Sequence, residues 1–183
     1  MAYEAAKSLA WEELIKLGPD KVLSLKFLGD EYSLDLKERK ILSLSSNVAA
    51  KDFFSVLILH YLISRLKGLP DLTSEWVSFK ELSGVEGYAG AFRKRAIEPI
   101  IRKYGNNSQG LLDALDRFSG KKVNYADTSV VLEVFEGVPV LITLWQEDSE
   151  FTAEANILFD KSINKIFHIE DIVVLAGIVA GKI

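Results

Sequence analysis

Two strand-like runs separated by a two-residue turn constrain the fold of this chain more than any other feature. Residues 128–135 and 138–145 are rich in Val, Leu, Ile, Thr and Phe, and only Glu136 and Gly137 lie between them. β-Branched and aromatic residues favour strands, and a glycine in a two-residue connection favours a tight hairpin. The pattern predicts the central antiparallel hairpin of the main sheet.

The first third of the chain alternates between helical and strand periodicity. Residues 3–17 carry apolar side chains at intervals of three and four, as one face of a helix does. Residues 49–66 are apolar almost all round, which is typical of a central helix. Between them, residues 22–28, 32–36 and 40–44 predict a small antiparallel meander with one buried face.

The rest of the chain adds helices and strands around the central hairpin. A long helix is predicted at residues 88–104, with a kink or break at Pro99, because proline lacks a backbone donor and clashes one turn back. Residues 75–79 form either a short strand or an apolar loop, a further strand is predicted at residues 155–159, and helices are predicted at residues 106–118 and 169–183. We therefore predict a single α+β domain over residues 1–183, in which a mainly antiparallel sheet is covered by several helices.

Composition narrows the cellular setting. With 183 residues, of which 49% are hydrophobic, the chain can bury a sizeable core without covalent staples. The absence of cysteine excludes disulfides, thiolate metal sites and iron–sulfur ligation, and it fits a reducing compartment. We find no signal peptide and no apolar tract of the roughly 20 residues that span a bilayer. We expect a cytoplasmic protein that does not bind membranes.

An acidic stretch follows the second strand of the hairpin. Residues 145–160 read W-Q-E-D-S-E-F-T-A-E-A-N-I-L-F-D, and Glu170 and Asp171 come soon after. Carboxylate oxygens suit Mg²⁺, Mn²⁺ or Ca²⁺, so a metal-dependent hydrolase is one hypothesis, although the fixed alternation and glycine of a calcium loop are missing. The simpler interpretation is solvated charge, with Glu170 and Asp171 stabilised in the first turn of a helix.

The two histidines support a metal site only weakly. His168 lies close to Glu170 and Asp171, whereas His60 lies inside the apolar helix. A histidine beside carboxylates can ligate a metal or transfer protons. We interpret His60 as a core residue and His168 as part of a helix-entry turn.

Residues 92–103, F-R-K-R-A-I-E-P-I-I-R-K, form the clearest basic concentration. With aromatic residues such as Tyr88 nearby, this helix could bind structured RNA such as tRNA through phosphate contacts and base stacking. Arg93 and Arg95 could instead clamp a carboxylate or phosphate, or pair with the acidic stretch. The simpler interpretation is again a solvated helix face.

Several sequence motifs resemble those of a prokaryotic family, domain-of-unknown-function family 3786. The resemblance rests on G-Y-x-x-x-F-R-x-R at residues 87–95, A-D-x-S at residues 126–129, W-x-x-D-x-E-F-x-A at residues 145–153 and L-F-D at residues 158–160. It covers nearly the whole chain and departs from the family pattern at Thr152, where proline is usual. The resemblance implies an accessory role in the metabolism of bacteria and archaea, often anaerobes. Some members of the family are joined to iron–sulfur modules, but this chain has no cysteine to ligate a cluster and could act only as a partner of such a module.

These observations converge on a binding domain rather than an enzyme. Our leading hypothesis is a cytoplasmic accessory domain that binds a small anionic ligand or a partner protein, with RNA binding and metal-dependent hydrolysis as alternatives. The site is predicted between the arginine-bearing helix and the acidic region. It comprises the residues that the motifs single out, namely Tyr88, Arg93, Arg95, Asp127, Trp145, Glu150 and Asp160. The sequence names no cofactor, no catalytic residue and no oligomeric state.

Overall fold

A helix and a four-stranded antiparallel sheet form the N-terminal part of the structure. The computed structural model describes residues 2–18, 22–118 and 120–183, and the side chains of all of these except Ala2. Its first elements are α1 (Ala2–Lys16), β1 (Val22–Phe27), β2 (Asp30–Asp35), β3 (Lys40–Ser43) and β4 (Val48–Ala49), with the strands in the order β1-β2-β3-β4. The predicted meander is therefore confirmed, with β4 as a short addition.

The turn between β1 and β2 shows why this meander could be predicted. Leu28 and Gly29 both have positive φ, of 47° and 76°, as a two-residue hairpin turn requires. Alternate side chains along the strands, including Leu25, Phe27 and Leu34, are buried on one face. Phe27 stacks on Phe135 with ring centroids 4.3 Å apart, so the small sheet packs directly against the main sheet.

The main sheet has five antiparallel strands, with the predicted hairpin at its centre. The chain continues through α2 (Asp52–Lys67), β5 (Trp76–Ser78), α3 (Ala89–Phe92), α4 (Glu98–Tyr104), α5 (Ser108–Asp113), β6 (Gly120–Val123), β7 (Thr128–Phe135), β8 (Val138–Trp145), β9 (Glu154–Asp160) and α6 (Ile169–Lys182). The strand order is β5-β9-β8-β7-β6. The helix predicted at residues 49–66 begins at Asp52, because Val48 and Ala49 pair with β3 instead.

The two faces of the main sheet have different surroundings. Val140, Ile142 and Leu144 of β8 belong to the hydrophobic core, which also contains side chains of α2, α4 and α6. Side chains alternate along a strand, so Leu141, Thr143 and Trp145 point to the opposite face. We call this opposite side the outer face of the sheet.

The helix predicted at residues 88–104 is divided into three parts. A five-residue π-helical turn, Arg93–Ile97, separates α3 from α4, and Pro99 lies in the first turn of α4. Proline has no N–H to donate to the preceding turn, and a widened turn just before it accommodates the missing hydrogen bond. The predicted disruption at Pro99 is therefore present as a change of helix type.

The architecture is the predicted α+β fold, with two antiparallel sheets and helices packed against them. A continuous set of buried apolar side chains runs through both sheets and the helices. Within the described ranges, no helix has the length and hydropathy that crossing a membrane requires.

Candidate functional site

An open groove of about 720 Å³ runs along α6, within the size range of ligand-binding pockets. Its walls come from the start of α2 and from the π-helical turn. Its apolar floor and walls are formed by Phe53, Phe54, Pro99, Val173, Val174, Gly177 and Ile178. Gly177 of α6 faces the π-helical turn, and a Cβ at this position would lie 3.6 Å from the Cβ of Arg95, in ordinary contact.

The charged side chains that line this groove are all cationic. They are Lys51, Lys94, Arg95 and Lys182, and no described carboxylate lines the groove with them. None of the ion pairs among the described residues involves these four cations, although Lys182 interacts electrostatically with Asp30. We call this feature the basic groove, because it combines an apolar floor with a lining of positive charge.

Three separate segments supply the four cations. Lys51 immediately precedes α2, and Lys182 lies in the last turn of α6, where the helix dipole favours a cation. Lys94 and Arg95 lie in the π-helical turn that precedes Pro99. The basic groove therefore depends on the long-range packing of α2, α6 and this turn.

A second cavity of about 590 Å³ adjoins the basic groove and contains both histidines of the chain. The two cavities share Tyr3, Phe53, Arg95, Val173 and Val174. We call the second cavity the histidine cleft. Arg95 contributes to the lining of both cavities.

A histidine–carboxylate pair lies in the histidine cleft. Nδ1 of His60 lies 2.7 Å from Oδ2 of Asp171, and the backbone N–H of His168 donates to the same oxygen at 3.2 Å. The rings of His60 and His168 meet edge to face with centroids 5.7 Å apart. Asp171 is buried and fixes the orientation of His60, which is the arrangement that allows an imidazole to exchange protons or bind a ligand through its other nitrogen.

Tyr88 closes one side of the histidine cleft. Its hydroxyl donates to Oε1 of Glu170 at 2.5 Å. This hydrogen bond raises the pKa of Tyr88 and lowers the pKa of Glu170, because it favours the protonated phenol and the ionised carboxylate. Of the seven residues predicted from the sequence, Tyr88 and Arg95 are the two that line this pair of cavities.

Asp127 and Trp145 line a different cavity, on the outer face of the main sheet. Arg93 lines neither the basic groove nor the histidine cleft, and its Nε lies 3.9 Å from a carboxylate oxygen of Glu98. Glu150 is exposed in the loop between β8 and β9. The structure therefore distributes these predicted residues over separate surfaces, and the ion pairs considered between Arg93 or Arg95 and the acidic stretch do not form.

Asp160 has a structural environment. It is only 5% exposed, and it accepts hydrogen bonds from Thr73, from the backbone N–H of Ser74 and from the backbone N–H of Ser162. Burial alone would raise the pKa of Asp160, but the hydrogen bonds from Ser162 and Thr73 outweigh burial and lower it to about 2. Asp160 therefore holds the loop before β5 against the end of β9.

The structure adds no geometric support for metal-dependent hydrolysis or for RNA binding, the two alternative hypotheses. The described histidine and acidic side chains do not gather in groups of three or more that could hold a metal ion. The basic run at residues 92–103 is divided, because Arg93 faces Glu98 and Lys103 donates to the main-chain oxygen of Ile183. RNA binding and metal-dependent hydrolysis remain predictions.

Several residues of the basic groove and histidine cleft were not identified from the sequence. Lys51 and Lys182 carry no motif, and His60 and Asp171 are separated by 111 positions. A local signal exists only for the arginine run and for His168, Glu170 and Asp171, which are neighbours in the sequence. The meeting of these residues is a property of the tertiary fold.

Comparison with known proteins identifies the family. A family model described as a domain of unknown function, DUF3786, matches residues 7–182. No curated protein and no solved structure gives a significant match. The chain therefore belongs to the DUF3786 family.

Proposed function

We propose that this protein binds a small anionic ligand that carries an apolar group, and that the basic groove holds it. The observation that carries the proposal is the combination of four cations and no carboxylate around an apolar floor. A guanidinium and three ammonium groups attract a carboxylate or phosphate, and the phenyl rings and Val173 bury the apolar part of the ligand. Cations clustered around a concave surface also raise the local concentration of anions.

The histidine cleft extends this proposal. Arg95 separates the two cavities, so an anionic group bound at Arg95 lies beside His60 and Tyr88 as well. The pair formed by His60 and Asp171 then supplies a hydrogen bond or a proton to the ligand. We propose a binding role in the cytoplasm of a prokaryote, and the lack of cysteine fits that reducing setting.

A thermal-shift measurement tests the proposal, because a ligand that binds only the native state raises its melting temperature. The probes are octanoate, octyl phosphate and ATP, each titrated at low and high salt. We expect at least one probe to stabilise the wild type, and we expect salt to weaken the effect.

Matched variants locate the binding. Lys94→Gln combined with Arg95→Gln removes two cations of the basic groove, whereas Arg93→Gln removes a neighbouring cation that lies outside it. We expect the double variant to lose most of the ligand-induced shift and Arg93→Gln to keep it. An equal shift in both variants, or no shift with any probe, would contradict the proposal.

A further inference from the structure

The outer face of the main sheet carries a cavity of about 520 Å³ with the opposite charge to the basic groove. Asp127, Trp145, Asp148, Phe151, Glu154 and Asn156 line it. We call it the acidic cleft. It is formed by the end of β8, the start of β9 and the loop between them, so most of the predicted acidic stretch surrounds it.

The carboxylates of the acidic cleft form no ion pair with any cation in the described part of the chain. The sequence contains no lysine or arginine from Val123 to Asp160. None of the ion pairs among the described residues involves Asp127, Asp148 or Glu154. Asp127 uses Oδ2 to accept from the backbone N–H of Gln146, which leaves Oδ1 available to a ligand.

Two aromatic rings line the cleft together with these carboxylates. Trp145 is 39% exposed and Phe151 is 69% exposed. Trp145 lies directly opposite Glu154 in the pairing of β8 with β9, so its ring and the Glu154 carboxylate share the outer face. Aromatic rings beside carboxylates favour a cation, because the ring face attracts positive charge and the carboxylates pair with it.

The loop that carries the cleft is held in place by its own hydrogen bonds. Oδ1 of Asp148 accepts from the backbone N–H groups of Glu150 and Phe151, at 2.8 Å and 2.7 Å. The backbone N–H of Glu147 donates to the carbonyl oxygen of Gly105, and Ala153 packs against the same glycine. The cleft is therefore preformed, which reduces the entropy lost when a ligand binds.

A buried polar group beneath the same face also lacks a partner. Thr143 is 2% exposed, and its hydroxyl makes no hydrogen bond in the described structure. Thr143 pairs with Asn156 across the sheet and lies two residues before Trp145, so it shares the outer face with both. Buried hydroxyl groups normally find a partner, and this one lies beside a residue that lines the cleft.

We propose that the acidic cleft binds an arginine side chain from a basic segment of a partner protein. Arginine fits this chemistry better than lysine, because its planar guanidinium stacks on an indole ring and donates in pairs to carboxylates. Trp145 and Phe151 both line the cleft and are both exposed, so two aromatic rings are available to the guanidinium. Exposed tryptophan and tyrosine are the residues that most often anchor protein interfaces.

The test uses an acetylated Gly-Arg-Gly-Arg-Gly peptide as the probe and its citrulline counterpart as the uncharged control. The readout is the indole N–H signal of Trp145 in a two-dimensional NMR spectrum, assigned with Trp145→Phe. The buried Trp11 serves as an internal reference for intact folding. We expect the arginine peptide to shift the Trp145 signal saturably at millimolar concentration and the citrulline peptide to leave it unchanged.

Charge-neutral variants decide where the peptide binds. Asp127→Asn combined with Glu154→Gln keeps the shape of the cleft, and Glu136→Gln removes a carboxylate at the other end of β7 and β8. We expect the double variant to bind the arginine peptide about tenfold more weakly and Glu136→Gln to bind it normally. No shift in the wild type, an equal response to the citrulline peptide, or undiminished binding by the double variant would overturn the proposal.

Discussion

The basic groove and the acidic cleft lie on different parts of the fold and differ in how their charges are assembled. The basic groove collects four cations from three distant segments beside α6. The acidic cleft draws most of its carboxylates from one loop and the strand ends next to it. Because neither surface contains the opposite charge, each is available to a ligand of its own. Two proposed binding surfaces therefore take the place of the single arginine–carboxylate site predicted from the motifs.

The carboxylates of the acidic cleft also differ from the carboxylates that stabilise the fold. Asp160 and Asp171 are buried and hydrogen-bonded within the protein, whereas Asp148 and Glu154 border solvent. Residues of one type in one stretch of sequence thus have two roles. Substitutions that separate structural from surface carboxylates test this division most strongly.

The largest effect is expected for Asp160→Ala. The substitution leaves four donors around Asp160 without an acceptor and releases Ser74, whose φ of 59° is unusual for a residue other than glycine. We expect a loss of about 3 kcal/mol in the free energy of unfolding, measured by urea denaturation. Glu150→Ala, the exposed control, is expected to change it by less than about 0.5 kcal/mol. Similar losses in the two variants would remove the distinction between structural and surface carboxylates.

Acid should affect stability through the same residue. The pKa of Asp160 is about 2 in the folded state against 3.8 for an ordinary aspartate, so its ionised form stabilises the fold above pH 3.8. This contribution, about 2 kcal/mol, is lost as the pH falls from 3.8 through 2. We expect urea denaturation between pH 5 and pH 2 to show that the free energy of unfolding falls more steeply with decreasing pH for the wild type than for Asp160→Asn. Parallel curves for the two proteins would show that Asp160 does not have a lowered pKa.

Gly105→Ala should disturb the acidic cleft and spare the basic groove. A Cβ at position 105 would lie 2.6 Å from the carbonyl oxygen of Ile101 and 2.8 Å from the Cβ of Ala153, so the end of α4 and the loop between β8 and β9 must move apart. We expect a loss of about 2 kcal/mol in the free energy of unfolding, together with weaker binding of the arginine peptide. Anion binding in the basic groove serves as the control and should stay unchanged. Full retention of peptide binding would show that this contact does not position the cleft.

The smallest effect on stability is expected for Gly177→Ala, and this substitution should stabilise the protein. The new methyl group would meet Arg95 at 3.6 Å, an ordinary contact, and alanine favours a helix more than glycine does. We expect the free energy of unfolding to rise by about 0.5 to 1 kcal/mol while anions bind more weakly in the narrowed groove. Gly90→Ala in α3, which has open space around it, is the control that should not alter anion binding. Unchanged anion affinity in Gly177→Ala would place the ligand away from the groove floor.

Much of the fold could be predicted because its signals are local. The hairpin of β7 and β8, the meander and the apolar helix α2 each follow from periodicity within a short window. Strand β6 was not predicted, because Gly120, Lys121 and Lys122 carry no strand signal and form an edge strand only by pairing with β7. The disruption at Pro99 was predicted, but its form as a π-helical turn depends on packing against α6.

The candidate sites were less accessible to sequence reasoning. The carboxylates near Trp145 were identified because they are neighbours in the sequence. Lys51 and Lys182 were not, since only tertiary packing brings them to Arg95. The interpretation of His168 as part of a helix-entry turn is confirmed, because it caps α6, whereas the pairing of His60 with Asp171 is not predicted from the sequence. Residue spacing contains no information about contacts across more than one hundred positions.

The central claim, two independent surfaces of opposite charge, is tested most directly by one pair of titrations. The tightest-binding anion of the thermal-shift panel and the arginine peptide are each titrated into three proteins: the wild type, Lys94→Gln with Arg95→Gln, and Asp127→Asn with Glu154→Gln. We expect each double variant to lose binding of its own ligand and to keep the affinity of the wild type for the other. A variant that loses both ligands, or affinities that stay equal in all three proteins, would contradict the account.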